Sequence, residues 1–152
     1  MIKTTYNSPL GQLLLAAEDE YITGLYFADK DESPGTASAV INTCIKELDA
    51  YFSGKLKNFT VPIKPKGTDF RMKVWAALMT IPYGETISYK ELAELIGQPT
   101  AIRAVGGANH HNPISIIIPC HRVIGTDGKL TGYGGGLGNK EILLNLERQN
   151  NV

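Results

Sequence analysis

The tetrapeptide Lys64-Pro65-Lys66-Gly67 divides a chain of 152 residues into two stretches of different character. Proline, glycine and charge in so short a run indicate a linker. Before it, short β-rich segments alternate with turn residues, whereas the sequence after it shows helix-capping residues and helical periodicity. We therefore predict an α+β chain with an N-terminal module at residues 1–66 and a C-terminal domain at residues 67–152.

The first module is predicted to form a small antiparallel sheet with one helix. Met1–Tyr6 and Gln12–Ala17 have strand composition and are separated by turn-forming residues, and Ile22–Phe27 supplies a third strand. Ala37–Phe52 carries apolar residues at helical spacing. Asn58–Ile63 suits a further short strand. Nothing in this module resembles a catalytic constellation.

The second stretch contains two short helices joined by a turn. Ser88 and Glu91 have the spacing of a capping box, which starts the first helix. Pro99 suits the first turn of the second helix. Two short helices joined in this way predict a helix-turn-helix at about residues 88–109.

The second of these helices has an unusually bare face. If Ile102, Val105 and Gly106 face the first helix, one long cation projects from the opposite side. That cation is Arg103, and its neighbours are small: Ala104, Gly107 and Ala108. Two glycines in a helix cost about 1 kcal/mol each relative to alanine. Two interpretations stay open, namely a surface that DNA can approach closely or a tightly packed helix with a solvated arginine.

A run of isoleucines, Ile116–Ile118, leads into Pro119-Cys120-His121-Arg122. Isoleucines suit a buried strand, and Pro119 ends its hydrogen bonding. A thiolate formed beside His121 and Arg122 would be the best nucleophile in the protein. From these residues alone, the alternative that Cys120 is a small buried hydrophobe is equally open.

Composition argues against several classes of function. The chain has 15 basic and 15 acidic residues, which argues against a partner held by massed phosphate contacts. Its two cysteines, Cys44 and Cys120, are far apart and its three histidines lack metal-ligand spacing, so we expect no metal. There is no signal-peptide pattern and no apolar run of membrane-spanning length. We therefore expect a cytoplasmic protein with reduced thiols and no membrane partner.

Together these motifs strongly resemble the O6-alkylguanine-DNA alkyltransferases, also called methylated-DNA protein-cysteine methyltransferases. The matching segments occur in the order and spacing of that family: Ile81–Thr86, Ser88-Tyr89, Arg103–Asn109, Asn112-Pro113 and Pro119–Val123. The resemblance covers essentially Gly67 to Glu147, and the N-terminal module more loosely through Ser8–Gly11. It implies a ribonuclease H-like first module followed by a mainly helical, winged helix-turn-helix-like domain that binds DNA and carries the active-site motif at residues 119–123.

The activity implied by the resemblance is direct DNA repair. The alkyl group on O6 of guanine, with O4-alkylthymine as a further candidate, would pass irreversibly to Cys120 in a single turnover. The partner would be double-stranded DNA containing O6-alkylguanine, from which the damaged base is flipped through the minor groove. We expect a monomer, able to bind cooperatively along DNA, that needs no cofactor.

The resemblance also assigns roles to the catalytic residues. Cys120 would be the nucleophile, His121 the base that draws its proton through a water, and Glu147 the carboxylate that holds the working tautomer of His121. Tyr89 would donate a proton toward N3 of the leaving guanine, and Asn112 would brace the active-site turn.

Without the resemblance, the position of Glu147 favours a solvated helix terminus. It lies near the end of a predicted amphipathic helix, Lys140–Arg148, whose inward residues we predict as Ile142, Leu143 and Leu146.

The DNA and base contacts are likewise implied by the family pattern. Arg103 would fill the space left by the flipped base, with further DNA contacts from Thr100, Ala104, Gly107 and Ala108. The base pocket would use Tyr133 as a wall, the Gly134 backbone N–H as donor to O6, and the main-chain carbonyls of Cys120 and Val123 as acceptors for the guanine amino group. Many relatives carry serine where this chain has Gly134.

Three other classes share parts of this pattern. Alkyltransferase-like proteins bind damage without the cysteine, so the intact motif at residues 119–122 argues against them. A helix-turn-helix regulator would carry polar base-reading side chains on its second helix, and this one is nearly bare. A thiol hydrolase would share the Cys-His-Glu set but would turn over repeatedly.

Overall fold

The computed structural model describes residues 2–27, 38–125 and 137–151. The chain forms two compact units. One comprises Met1–Lys66 together with Pro113–Ile117, and the other comprises Gly67–Asn112 and Ile118–Val152. The predicted α+β class is confirmed.

The first unit contains the predicted three-stranded antiparallel sheet. Its strands are β1 (Ile2–Ser8), β2 (Gly11–Glu18) and β3 (Tyr21–Phe27), in the order β1-β2-β3. The central strand is buried over five consecutive residues, 13–17, because a strand between two others has both faces available for packing. This apolar run places the core of the unit along β2.

Helix α1 (Ala39–Phe52) covers this unit with the predicted apolar face. Ser38 caps the helix by accepting a hydrogen bond from the backbone N–H of Ile41. The buried residues recur at intervals of three and four: Ile41, Cys44, Leu48 and Tyr51. Cys44 is therefore a buried core residue with a free thiol.

The strand predicted for Asn58–Ile63 is wrong, because this segment forms only an isolated bridge at Ile63. The backbone N–H groups at residues 60 and 61 bind a side chain on α1 instead of the backbone of a neighbouring strand. The Glu47 carboxylate accepts from the backbone N–H groups of Thr60 and Val61 at distances between 2.8 and 3.1 Å. Hydrophobic alternation cannot reveal such a partner, since it lies more than ten residues away in the sequence.

The strand predicted for Ile116–Ile118 is also wrong, although its burial is as expected. These residues form turns, closed by hydrogen bonds from the N–H of Ile117 to the Ser115 carbonyl and from the N–H of Cys120 to the Ile118 carbonyl. Ile116 has φ of 72°, a left-handed conformation that is costly for a β-branched residue. The apolar side chains are buried by this folded-back path rather than by a sheet.

The second unit is mainly helical. Its elements are α2 (Asp69–Leu78), β4 (Ile87–Ser88), α3 (Tyr89–Leu95), α4 (Ile102–His110), a 3-10 turn (Cys120–Arg122), β5 (Val123–Ile124) and α5 (Leu137–Asn150). The short strands β4 and β5 pair in parallel. None of the helices within the described ranges is long and apolar enough to cross a membrane.

The capping box predicted at the start of α3 is confirmed. The Ser88 hydroxyl accepts from the N–H of Glu91 at 3.0 Å, and the Glu91 carboxylate accepts from the N–H of Ser88 at 3.1 Å.

Helix α4 begins at Ile102 rather than at Pro99, which lies in a turn. The N–H of Ala101 donates to the Gln98 carbonyl there, so a turn precedes the helix.

The predicted outward face of α4 is correct for three residues and wrong for one. Arg103, Ala104 and Gly107 are exposed, whereas Ala108 is 2% exposed and Ile102 is 40% exposed. The Ala108 carbonyl accepts from the Trp75 indole N–H at 2.9 Å. Helix α4 contacts α2 as well as α3, so its buried side is turned away from Ile102 and toward Ala108.

Candidate active site

Cys120, His121 and Arg122 form a single 3-10 turn directly after Pro119. All three side chains are buried. On its C-terminal side the turn continues into β5, which pairs with β4. The pairing of β5 with β4 begins at the residue that follows the turn, and it therefore helps to fix the position of Cys120.

Two asparagines hold the other side of this turn. The Asn112 amide donates to the Ile118 carbonyl at 2.7 Å and also forms a hydrogen bond with the Cys120 thiol. The Asn109 amide, at the C-terminal end of α4, donates to the Cys120 carbonyl at 3.3 Å. The geometry at Asn112 agrees with the bracing role that the resemblance implies. Asn109 was not predicted as a site residue.

A fully buried carboxylate on α5 joins His121 and Arg122. Glu147 Oε2 lies 2.7 Å from His121 Nε2, and the guanidinium of Arg122 binds both carboxylate oxygens, Nε to Oε1 at 2.8 Å and Nη2 to Oε2 at 3.1 Å. The backbone N–H of Gly84 also donates to Oε1 at 3.2 Å. Arg122 Nη1 donates to the Ile81 carbonyl at 2.7 Å. Glu147 therefore joins α5 to the active-site turn and to the segment before β4.

Arg122 therefore braces the turn by binding a carboxylate and a backbone carbonyl. The planar guanidinium donates two parallel N–H bonds to the two carboxylate oxygens. The ammonium of a lysine could not bind both oxygens with this geometry.

The charges of this cluster fix the tautomer of His121. Burial alone would raise the pKa of the Glu147 carboxyl, but the hydrogen bonds from His121 and Arg122, together with the charge of Arg122, outweigh burial and hold that pKa below its usual range. Burial lowers the pKa of His121, so its imidazole is neutral near neutral pH. An ionised carboxylate only accepts hydrogen bonds, so the single ring proton of His121 lies on Nε2 and leaves a lone pair on Nδ1.

His121 Nδ1 is buried and forms no hydrogen bond with any of the residues that the structure describes. A neutral imidazole with an accepting nitrogen can act as a base. The arrangement has the logic of a hydrolase triad, with a carboxylate orienting a histidine beside a nucleophile.

The thiol of Cys120 needs such a base. Burial raises its pKa to about 11, although the Asn112 hydrogen bond, the charge of Lys140 and two backbone N–H groups act in the opposite direction. At neutral pH the residue is therefore a thiol, and the reactive thiolate forms only when its proton is removed.

Lys140 is a further site residue that the sequence did not indicate. Its side chain is fully buried, and Nζ donates to the Val123 carbonyl at 2.5 Å and lies 5.9 Å from the centroid of the Tyr89 ring. Of the three residues predicted to face inward on α5, only Leu143 is buried. Ile142 is 47% exposed and Leu146 is half-buried, while the buried positions are Lys140, Leu143, Leu144 and Glu147.

The spacing of Lys140 and Glu147 could have revealed this face, because residues seven apart lie on the same side of a helix.

The remaining predicted site residues lie as follows. Thr100, Arg103, Ala104 and Gly107 are exposed on the helix-turn-helix, and Ala108 is buried. Tyr89 is the first residue of α3 and is half-buried. Val123 is buried, with its carbonyl bonded to Lys140. Tyr133 and Gly134 lie outside the described residues.

Within residues 2–27, 38–125 and 137–151, no group of three or more His, Cys, Asp or Glu side chains could hold a metal ion.

Two family profiles match the chain. The DNA-binding domain of 6-O-methylguanine DNA methyltransferase matches residues 69–149, and the ribonuclease-like domain of the same family matches residues 1–65. The chain therefore belongs to the 6-O-methylguanine DNA methyltransferase family.

Individual relatives are similar over nearly the whole length. The methylated-DNA–protein-cysteine methyltransferase of Mycolicibacterium paratuberculosis is 51% identical over 150 residues, which cover 95% of this chain and 91% of that protein. The protein of the same name from Methanosarcina barkeri is 52% identical, with 94% of each chain covered. The structure of Mycobacterium tuberculosis OGT in complex with DNA matches with a TM-score of 0.90 and 49% identity, covering 97% of this chain and 93% of that one.

The ion cluster predicts a specific pattern of stability. Arg122→Met should lower the free energy of unfolding by about 3–5 kcal/mol, because it leaves a buried carboxylate without its fixed cation. Glu147→Gln should also destabilise, but the double variant should lose less than the sum of the two single losses. Urea unfolding of the three variants measures this, with the exposed Arg148→Met as control, for which we expect a change within about 0.5 kcal/mol. Additive losses would show that Arg122 and Glu147 do not depend on each other.

Proposed function

We propose that this protein repairs alkylated DNA directly, by moving a methyl or other alkyl group from O6 of guanine to the sulfur of Cys120. The observation that carries the proposal is the buried Cys120 turn, with the His121 ring held by Glu147 at 2.7 Å and its Nδ1 left as an acceptor. Membership of the 6-O-methylguanine DNA methyltransferase family supports the same reaction.

The proposed step begins with the thiol proton. His121 Nδ1 accepts it through a water, and the sulfur attacks the alkyl carbon in line with the O6 bond. The S–C bond forms as the C–O6 bond breaks, and the electron pair of that bond stays with the guanine. Tyr89 donates a proton to N3 and recovers one from solvent, while His121 releases its own to solvent. The net change is a thiol converted to a thioether and an alkylguanine converted to guanine.

The reaction is stoichiometric because the thioether has no route back to the thiol. An alkyl thioether has no carbonyl carbon for an activated water to attack, and water does not displace a thiolate from an alkyl carbon near neutral pH. Each protein molecule therefore repairs one base. A thiol hydrolase with the same Cys-His-Glu set would instead release its product.

The exposed face of α4 supports DNA as the partner. Arg103 is exposed beside Ala104 and Gly107, so the helix backbone can approach a narrow groove closely while the guanidinium enters it. We propose that Arg103 fills the space left when the damaged base is flipped out, with Thr100 contacting the DNA nearby. The reaction requires flipping, because a stacked base does not offer sulfur an in-line approach.

We place this activity in the cytoplasm. Both cysteines, Cys44 and Cys120, are free thiols, and transfer requires Cys120 to be reduced.

Mass spectrometry tests the proposed function directly. After incubation with duplex DNA containing O6-methylguanine, the Cys120 peptide should gain one methyl group per protein molecule, and Cys120→Ser should gain none. The Cys44 peptide is the internal control, because Cys44 is a buried residue on the apolar face of α1 and has no role in the proposed reaction. Unmodified protein together with released product would exclude transfer.

The role of Arg103 predicts a difference between two substrates. Arg103→Ala should slow repair of duplex substrate by at least tenfold, a cost of about 1.4 kcal/mol, while changing the reaction with free O6-methylguanine base little, because only the duplex requires flipping. Single-turnover rates on both substrates measure this. Lys73→Ala removes an equal charge from an exposed position on α2 and serves as the matched control. Equal losses on duplex and free base would remove Arg103 from this role.

A further inference from the structure

Lys140 has no part in the reaction as proposed above, yet its buried ammonium is bonded to the backbone three residues after the reacting cysteine. The side chain is completely buried on α5, and burial lowers its pKa to about 8. A neutral side chain one heavy atom shorter, such as methionine, would occupy a core position at lower desolvation cost. The retained charge therefore calls for a functional explanation.

The neighbours of Lys140 belong to three parts of the active site. Its Nζ donates to the Val123 carbonyl at 2.5 Å, three residues beyond Cys120 in the chain, and lies 5.9 Å from the Tyr89 ring centroid. Its positive charge also acts on the Cys120 thiol in the direction that favours thiolate. The ammonium thus lies among the nucleophile, the proposed proton donor and the backbone of β5.

The other charged groups around Cys120 contribute less positive charge to the thiol. His121, in the same turn, is neutral because burial lowers its pKa. The guanidinium of Arg122 is bound by both oxygens of Glu147, which offsets its charge. Burial and the charge of Glu147 raise the pKa of Tyr83, so this phenol stays neutral near neutral pH.

We propose that Lys140 is a positioning residue for alkyl transfer, whose buried ammonium stabilises the Cys120 thiolate as it forms and fixes the Val123 carbonyl that borders the site. This inference rests on the proposed function. Lys140 keeps its proton throughout: the thiol proton goes to His121, and the ammonium supplies only charge and a hydrogen bond. A carbonyl oxygen has two lone pairs, so Val123 can accept from Lys140 and from the guanine amino group together.

The charge of Lys140 can be tested without DNA. Iodoacetamide alkylates a thiolate and releases iodide, so its rate with Cys120 across a pH series reports the thiolate fraction. Lys140→Met should shift the alkylation profile below about pH 8, where wild-type Lys140 keeps its proton, and slow alkylation there by tenfold or more; the difference should shrink at higher pH, as wild-type Lys140 becomes neutral. Leu144→Met, one turn further along the same buried face, is the matched control and should leave the profile unchanged.

Lys140→Gln separates the two parts of the role and is the second variant if Lys140→Met does not fold. Glutamine keeps an N–H donor for Val123 but has no charge. With O6-methylguanine duplex under single-turnover conditions, its maximal rate should fall by tenfold or more, while its half-saturating DNA concentration should stay within twofold of wild type. A merely structural lysine would lower the rate of transfer in Lys140→Gln without slowing the alkylation of Cys120 by iodoacetamide below about pH 8, so the two measurements together separate charge from packing.

The outcomes for the two proposals are distinct. If wild-type protein gains no methyl group from the duplex, the proposed function is rejected, and the iodoacetamide series still decides whether Lys140 acts on the thiol. The role of Lys140 is overturned by a different pair of results. Wild-type protein would gain the methyl group, but the folded Lys140 variants would show the same iodoacetamide profile as wild type and Leu144→Met. A shifted profile for the Lys140 variants alone supports it.

Discussion

The buried carboxylate of Glu147 is the group on which the active site depends. It accepts hydrogen bonds from the ring of His121, from the guanidinium of Arg122 and from the backbone of Gly84. Removing it would leave the buried guanidinium of Arg122 without its counter-charge. That change lowers the free energy of unfolding more than the loss of an exposed ion pair does. The same contacts that hold α5 against the active-site turn also set which nitrogen of His121 carries the proton, so stability and chemistry share one interaction.

Burial keeps both Cys120 and His121 neutral near neutral pH. It raises the pKa of the Cys120 thiol to about 11 and lowers that of the His121 imidazole, so neither forms an ion readily by itself. Other groups act in the direction that favours the ions: the Glu147 carboxylate lies 2.7 Å from the ring of His121, and the charge of Lys140 and the hydrogen bond of Asn112 lower the pKa of Cys120. A thiol that is used only once gains from this arrangement, because a permanently ionised thiol would react with other electrophiles.

Local signals in the sequence predicted the parts of the fold that local contacts determine. The cap of α3 was correct because Ser88 and Glu91 bond to each other's backbone within three residues. The strand predicted for Ile116–Ile118 was wrong because apolar composition reports burial and cannot distinguish a buried turn from a strand. Lys140 was missed because a lysine is normally assigned to the surface, and the phase of α5 is set by packing with the active-site turn. The proposed roles of Cys120, His121 and Glu147 came from a family resemblance, since residues 121 and 147 are brought together only by the tertiary fold.

The protonation of the His121 ring is the most direct test of how this site works, and it can be measured by nitrogen-15 NMR of the histidine side chains at neutral pH. His121→Gln assigns the signal, and the exposed His110 and His111 provide references in the same spectrum. The buried ion cluster predicts a neutral ring with the proton on Nε2 and an unprotonated Nδ1. A doubly protonated ring, or a neutral ring with its proton on Nδ1, would contradict it, because neither form could accept the proton of Cys120.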